Sequence, residues 1–322
     1  MINKDKYIAD IIIISYKNAG LTINCVESIR ETLSLPVRII IVDNASPDNT
    51  VPELKSNLHD VEIIENKDNK GYAQAVNIGV KYSKSQNIII SNNDVIYHDN
   101  ALSILLNTLI NNKSIGVVGP SQQYPDGSWQ RSHGNLPGLN LGLRKLFIIE
   151  SLSNFFSKFK NCLFKGSVSM IEADYLDGAC LAVRRDVFES VGGFDVDYFF
   201  YTEEADFCHR IAQKQFKIIC NQKARITHLR GGSDFKKGLS IESIRMLIQS
   251  KLLFCKKHLK DGETFLYVKL ETMHYKTYTI FLRLLTLVTS GKAKSRINVK
   301  LEIINNFHEC WNDELSKIKL SK

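Results

Sequence analysis

Four clusters of polar and acidic residues in the 322-residue chain combine types and spacings that could do chemistry. Asp43 opens the run Asp43-Asn44-Ala45-Ser46-Pro47-Asp48. A carboxylate there can accept hydrogen bonds from a base or a ribose; the competing reading is a turn former or helix cap. Asp94 follows Asn92 and Asn93. An oxygen-rich cluster of this kind suits a hard divalent cation, Mg2+ or Mn2+, which keeps several waters and takes phosphate oxygens as further ligands. Glu203-Glu204-Ala205-Asp206 sets three carboxylates at the start of an expected helix whose Phe207 and Ile211 face the core. Acids there are favoured by the helix dipole, and clustered carboxylates beside a metal site are also how a general base is positioned. His228 opens His-Leu-Arg-Gly-Gly-Ser, a glycine-rich loop just after an expected strand at 216–219. A lone histidine is more often structural than a ligand, but this placement also suits metal coordination.

Glycines mark where a ligand or a second backbone can come close. Gly71 precedes a helix rich in small residues, with Asn69 before it and Asn77 two helical turns beyond Lys70. Asn77 is expected to support the site from behind. Gly178-Ala179-Cys180 makes a smooth wall that admits a ligand, and Gly192-Gly193-Phe194-Asp195 reads as a turn.

Strands are expected over 8–15, 37–42, 61–65, 87–91 and 116–118, with helices over 21–33, 51–58, 72–82 and 101–111. Such alternation builds a parallel sheet with helices on both faces. Ligands then bind outside the carboxyl ends of the strands. Ser15-Tyr16, Asp43-Asn44 and Asn92-Asn93-Asp94 all fall at those ends, which points to one shared site. In 138–165 the pattern changes: Phe147, Phe155, Phe156, Phe159 and Phe164 interleave with Arg144, Lys145, Lys158, Lys160 and Lys165. That stretch is either an amphipathic helical insert or a flap facing an acceptor or a membrane. Beyond Ser240 the sequence reads as mostly helical.

Composition narrows the classes. Hydrophobic residues make up 44% and charged residues 24%, which excludes wholesale disorder, collagen-like and coiled-coil chains. Seven cysteines with no CxxC spacing argue against a disulfide framework or a zinc ribbon and fit a reducing cytosol. No signal-peptide pattern opens the chain, and the longest apolar candidate, 278–290, is short of a membrane span and carries Arg283. A cytoplasmic location is expected, with peripheral contact on the inner face of the cell membrane left open. The net charge is +8, and residues 251–300 hold 11 basic against 3 acidic residues, so the rest of the chain is neutral. This segment is either a solvated helical tail or a surface for anionic lipid. No recognition motif accompanies the charge, so nucleic acid is not an expected partner.

The ordered set SY, VDNASPD, NKGYAQAVNIG, SNND, GAC, RR, GGFD, EEADFCHR, H and GGS, spread over 8–233, resembles the inverting family 2 glycosyltransferases of GT-A fold. It is most similar to the branch with bacterial rhamnosyltransferases and galactofuranosyltransferases. The resemblance implies an α/β fold with a mixed, mainly parallel Rossmann-like sheet over 1–240. Residues 1–120 would be the nucleotide-binding half. Residues 121–240 would be the acceptor-binding and catalytic half, with a variable insert at 138–170, followed by a mostly helical region at 241–322. By the same resemblance Ser15, Tyr16, Asp43 and Asn44 would hold the nucleotide, and Asn69, Gly71 and Asn77 would shape its pocket. Asp94 would be the last acid of the DxD-type motif and His228 a further metal ligand. Glu204 would be the base, with Glu203 and Asp206 supporting, and Gly178, Ala179 and Cys180 would line the sugar and acceptor pocket. Two departures stand out: the DxD equivalent keeps one acid, and the ED pair reads Glu203-Glu204.

The implied reaction moves a sugar, rhamnose from dTDP-rhamnose as first choice, onto a growing cell-surface polysaccharide such as an O-antigen on a lipid carrier. A divalent metal would neutralise the leaving diphosphate. Two other classes stay open: a nucleotidyltransferase, against which stands the lack of a Gly-rich phosphate loop with a paired basic residue, and a catalytically silent GT-A scaffold.

Overall fold

The computed structural model describes residues 7–146, 169–230 and 239–317. The chain divides into two compact units, one of residues 1–135 with 166–235 and one of 136–165 with 236–322. The phenylalanines of the 147–165 stretch, and Gly231 to Ser233, lie outside the described residues.

The first unit contains β1 (Ala9–Ser15), β2 (Val37–Asp43), β3 (Glu62–Glu65), β4 (Asn87–Asn92), β5 (Val95–Tyr97), β6 (Ile115–Gln123), β7 (Trp129–Gln130), β8 (His133–Gly134), β9 (Met170–Glu172), β10 (Tyr175–Leu176), β11 (Cys180–Arg184) and β12 (Lys217–His228). Its helices are α1 (Ala19–Thr32), α2 (Thr50–Asn57), α3 (Tyr72–Tyr82) and α4 (Ala101–Asn111). Two more, α6 (Arg185–Ser190) and α7 (Glu203–Gln213), follow in the same unit after a short helix of the second unit, α5 (Leu139–Leu146). The main sheet runs β3-β2-β1-β4-β11-β6-β12-β5. The strands β3 to β4 along this order are parallel, β11 is antiparallel to both its neighbours, and β5 closes the sheet antiparallel to β12.

Unbroken isoleucine runs suit this sheet because both faces are buried. Ile11, Ile13, Ile39, Ile41 and Ile89 point to one side, against Val26 and Ile29 of α1 and Leu102, Leu105 and Leu109 of α4. Ile12, Ile14, Ile40, Val42, Ile88 and Ile90 point to the other, against α3, α6 and α7. Each such side chain contributes about 1.5–3 kcal/mol when fully buried. The small residues of α3 have a packing cause: a Cβ on Gly79 would lie 2.4 Å from Ile12 Cγ2, so α3 sits close on the sheet.

Two strands run longer than their apolar cores. The expected strand at 116–118 is Ile115–Gln123, and that at 216–219 is Lys217–His228. Their polar halves pair with each other through a bulge between Asn221 and Arg225. His228 therefore ends a strand instead of lying in a glycine-rich loop. Its register partner across β5 is Val95, the neighbour of Asp94.

The second unit consists of α5 with α8 (Ile241–His258), α9 (Asp261–Val288) and α10 (Gly291–Ser316). Ser240 caps α8 by accepting from the Ser243 N–H at 3.1 Å. Ile244, Ile248, Leu252, Tyr267, Tyr275 and Trp311 form its core. Inside it, buried Glu271 meets Lys145 Nζ at 2.5 Å and the Tyr267 hydroxyl at 2.9 Å. Burial opposes its ionisation, but the Lys145 and Lys251 charges hold the carboxyl down to about 2. No helix among the described residues is long and apolar enough to cross a membrane. The six cysteines among the described residues are free and buried.

Asp10 anchors the opposite end of β1 from the polar clusters. It is fully buried and accepts from Arg38 Nη2 at 2.6 Å, from the Ser85 hydroxyl at 2.8 Å and from the backbone N–H groups of Lys84 and Ser85. Burial alone would raise its pKa, yet Arg38 and these donors hold it below the usual carboxylate range. Asp10→Ala leaves Arg38 without this partner and should cost ~3–5 kcal/mol, read as a lower urea midpoint. Because the folded pKa is depressed, the contribution is complete above the ordinary carboxylate range and is lost as pH falls through the folded value. The gap between wild type and Asp10→Ala should therefore narrow in acid; a gap of constant size down to strongly acidic pH would remove the charge from the account.

Candidate active site

The carboxyl ends of β1 and β2 are joined before any ligand is considered. Ser15 lies opposite Asp43 in the register, and Asn44 N–H donates to the Ser15 carbonyl at 2.8 Å. The buried Ser15 hydroxyl pairs with the Thr22 hydroxyl at 2.9 Å. Asp43, also buried, accepts from the Ser46 hydroxyl at 2.6 Å and the Ser46 N–H at 2.9 Å, closing the turn that its Asn-Ala-Ser sequence suggests. The loop after β1 is pinned to that turn: Lys17 N–H donates to Ser46 Oγ and Asn18 N–H to Asp48 Oδ2. Tyr16 is 43% exposed, with the Lys17 ammonium 5.2 Å from its ring centre. Buried Asn44 donates to Asn69 Oδ1 and the Gly71 carbonyl and accepts from Asn66. Ser15, Asp43, Asn44 and Asn69 are thus one hydrogen-bonded wall, and Tyr16 is its open face.

A second set of contacts fixes the loop that leads into α7. Gly71 has φ +91°, and a Cβ there would lie 2.4 Å from the Phe199 carbonyl oxygen, which accepts from Tyr72 N–H at 2.9 Å. This is the close backbone approach that the glycine suggested, and the approaching group is the protein's own chain. Asn77 clamps the Gly-Gly-Phe turn from both sides: its Nδ2 donates to the Phe194 carbonyl at 2.7 Å and its Oδ1 accepts from Phe194 N–H at 2.9 Å. Tyr201 and Thr202 then adopt left-handed φ values of 71° and 69° immediately before Glu203. Non-glycine residues in that region carry strain of about 1–3 kcal/mol each and persist only where the surroundings over-determine them.

The strand ends of β4, β6 and β12 bring a third set together. Asp94 Oδ1 lies 3.3 Å from His228 Nε2. His228 Nδ1 faces Gln122 Oε1 at 3.2 Å and Asp177 Oδ1 at 3.8 Å. Asp177 also accepts from Arg230 Nη2 at 2.9 Å, from Gln122 Nε2 at 3.2 Å and from Ala179 N–H at 3.2 Å. Burial works against its charge, but Arg230, His228 and these donors hold its pKa below the usual range. Asp94, His228 and Gln122 are all buried. Among the described residues no group of three or more His, Cys, Asp or Glu side chains converges to hold a metal ion. Asp94 and His228 are the pair that could share one with ligand oxygens.

The acids of α7 stand in three different environments. Asp206 is fully buried and ion-paired to Arg210 at 2.6 Å. Glu203 is buried, and its Oε2 makes no hydrogen bond among the described residues. Burial first, then the Glu204 charge, raises its pKa well above the carboxylate range. Glu204 lies beside the wall at Gly178, where an added Cβ would meet the Glu204 side chain at 3.5 Å. Burial and the Asp177 charge push it up to about 7. The Tyr72 hydroxyl donates to the Gly178 carbonyl at 3.2 Å, linking the wall to α3.

The model of glycosyl transferase family 2 matches residues 10–192. The chain belongs to glycosyl transferase family 2. It is 26% identical over 211 residues to an N-acetylglucosaminyl-diphospho-decaprenol L-rhamnosyltransferase of Mycobacterium tuberculosis, covering 62% of this chain and 68% of that protein. The low-salt glycan biosynthesis hexosyltransferase Agl10 of Haloferax volcanii is 24% identical over 226 residues, 65% of this chain and 62% of its own. Among solved structures, the mannosyltransferase PcManGT from Pyrobaculum calidifontis, in complex with GDP-Man and Mn2+, superposes with a TM-score of 0.57 at 15% identity, over 96% of this chain and 86% of that one. GalNAc-T7 with UDP, GalNAc and Mn2+ gives 0.52 at 15% identity, over 78% and 50%. These two likenesses carry the GT-A fold. The expected family and fold class are thereby established, and the chain is a glycosyltransferase.

Within this glycosyltransferase, sequence reasoning passed over Gln122, Asp177 and Arg230. Asp177 stands directly before the Gly178-Ala179-Cys180 wall, and Arg230 two residues after His228, so proximity to singled-out motifs was the available signal. Gln122 carried none. The clamp at Asn77 yields a direct test. Asn77→Ala strands the Phe194 N–H and carbonyl, at about 1–3 kcal/mol for each group left unpaired and buried. The urea midpoint should fall, and chymotryptic cleavage should rise within 192–202, which holds three Phe and two Tyr but no Lys or Arg; a variant as stable as wild type would show that the turn needs no clamp.

Proposed function

We propose that the chain is a metal-dependent transferase that moves a sugar from a nucleotide-diphosphate donor, dTDP-rhamnose as first choice, to a lipid-linked glycan acceptor. The observation that carries this reading is the shared neighbourhood of Asp177, which faces His228 at 3.8 Å and whose charge raises Glu204. A proton acceptor and a carboxylate–imidazole pair are thus coupled through one carboxylate. The first relative's name supports rhamnose and a diphospho-polyprenol acceptor. The GDP-Man and Mn2+ of one structural neighbour, and the UDP, GalNAc and Mn2+ of the other, support the donor class and the metal.

Asp94 and His228 fit a divalent cation by donor chemistry, one carboxylate and one imidazole nitrogen, with diphosphate oxygens as the remaining ligands. When bound, the cation supplies positive charge for the departing diphosphate. Ser15, Asp43, Asn44, Asn69 and Gly71 build the nucleotide wall, Asn77 holds its frame, and Tyr16 offers a ring face to the base. Gly178, beside Glu204, would border the place for sugar and acceptor, while Ala179 and Cys180 are buried in the sheet core behind it. Glu204 takes the proton of the acceptor hydroxyl as that oxygen attacks the anomeric carbon, and one displacement inverts the centre, as is general in this family. Glu203 and Asp206 support it from the same helical turn.

Contact with an anionic membrane is the second part of the reading. Residues 272–301 contain six Lys or Arg and no Asp or Glu. Lys276, Arg283, Lys292, Lys294 and Arg296 are exposed at the end of α9 and the start of α10. Ile280, Leu284 and Leu287, for which core packing was the alternative, are 58%, 58% and 79% exposed, with Phe281 and Val288 beside them. An apolar helical edge ringed by cations suits the interface of an anionic bilayer, at about 1 kcal/mol per basic residue. A lipid-linked acceptor gives that placement a purpose.

Two outcomes are expected. Glu204→Gln should keep nucleotide binding and lose ~10²–10⁴ in transfer, and excess EDTA should abolish transfer. The base works deprotonated and its pKa is raised, so wild-type transfer should climb about tenfold between pH 6 and 8 as Glu204 ionises. Full activity in EDTA, or a crippled Glu203→Gln beside an active Glu204→Gln, would refute the respective assignment.

For the membrane, the full chain should sediment with anionic vesicles at low salt and be released as salt screens the charges. Leu284→Glu with Leu287→Glu should weaken that sedimentation and leave stability unchanged. Recovery in the supernatant with anionic and neutral vesicles alike would defeat this part of the reading.

A further inference from the structure

His228 has acceptor atoms on both sides of its ring. On the Nδ1 side stand Gln122 Oε1 at 3.2 Å and Asp177 Oδ1 at 3.8 Å; on the Nε2 side stands Asp94 Oδ1 at 3.3 Å. The direction of the Gln122 amide decides what the ring must do. Its Nε2 donates to Asp177 Oδ1 at 3.2 Å, and an ionised carboxylate can only accept. Asp177 is held in that state by Arg230 at 2.9 Å and by the Ala179 N–H. The amide nitrogen is therefore committed to Asp177, and the amide oxygen must face the imidazole. An amide oxygen also only accepts, so Nδ1 must carry the proton. In the neutral ring Nε2 is then a lone pair aimed at a carboxylate oxygen. Two lone pairs at this distance repel unless a proton, which would make the ring doubly protonated, or a metal cation is shared between them.

We propose that Gln122, aligned by Asp177, is a positioning residue that fixes His228 as the Nδ1–H tautomer and reserves Nε2 for a divalent cation shared with Asp94. This rests on the metal reading above. It adds a residue outside the ligand pair, on β6, where register with Ile226 and burial leave the side chain little freedom. Groups that orient a ligating histidine through its other nitrogen typically change metal affinity by about 10–100-fold when removed.

Long-range 1H–15N spectra of the full chain with 15N-labelled histidine, at about pH 8, read both the tautomer and the protonation of the ring without any metal. The His228 signals are identified by their absence in His228→Gln. The expected ring has a protonated Nδ1 and a bare Nε2. Gln122→Met, matched in length, should let the Nε2–H form appear. Mn2+ should broaden the His228 signals before those of the other histidines, and Gln122→Met should need ~10-fold more Mn2+ for the same broadening. An Nε2–H or doubly protonated ring in the wild type overturns the proposal, as does a Gln122→Met ring with unchanged tautomer and unchanged Mn2+ response. An Nδ1–H ring that Mn2+ does not broaden overturns the cation reading beneath it, which separates the two failures. Should Gln122→Met not fold, Gln122→Leu takes its place, and the wild-type tautomer still decides.

Discussion

Burial of both faces of the sheet leaves polar chemistry one place to go. Strands β1 and β2 are largely isoleucine and valine, and helices cover them on each side. A charged group inside such a layer is tolerated only with a full set of partners, as Asp10 shows at the amino end of β1. At the carboxyl ends the backbone turns away and the layer opens. Ser15, Asp43, Asn92, Asp94, Gln122 and His228 all stand at or beside such ends. The site follows from the sheet: the same strands that exclude water from the core deliver their last polar residues to one rim.

That rim has to be stiff to be useful, and the stiffness comes from backbone contacts more than from ion pairs. Gly71 against the Phe199 carbonyl, Asn77 around Phe194 and Asn44 across to Asn69 and Gly71 tie α3 to both flanking loops. These contacts over-determine the left-handed pair Tyr201-Thr202 and so fix where α7 begins. The acids of α7 gain from the helix dipole in its first turn, but their directions are set by this frame.

How far this was legible in sequence depends on the range of each signal. The first four strands and helices were readable to within two residues, because Ile-Val runs and turn residues are local signals. The polar halves of β6 and β12 were not. Gln122, Gln123, Asn221 and Gln222 look like loop until two long strands pair them, and only that pairing puts His228 at a strand end. The same limit hid Asp177 and Arg230, whose meaning lies in each other's distance of 2.9 Å across 53 positions. The small residues around Gly71 and Gly79 were read as room for a ligand or a second backbone, and their nearest neighbours are the Phe199 backbone and the Ile12 side chain of the same chain. Spacing shows that something approaches; it does not say what.

The carboxylates of α7 show how environment divides roles among similar groups. A base must be free to gain a proton and must hold it with moderate strength. Asp206 is spent on Arg210, and protonating it would break a buried pair. Glu203 is desolvated and faces the Glu204 charge, so its ionised form is disfavoured. Glu204 lies between these extremes: burial and the Asp177 charge lift it to about 7, and Arg230 limits the rise. Asp177 therefore acts in two directions. Its charge makes Glu204 a stronger base, and its hydrogen bond turns Gln122 toward His228. Arg230, by keeping Asp177 ionised, supports both. A substitution at Arg230 would consequently disturb the proton acceptor and the histidine together, although the arginine itself carries neither function.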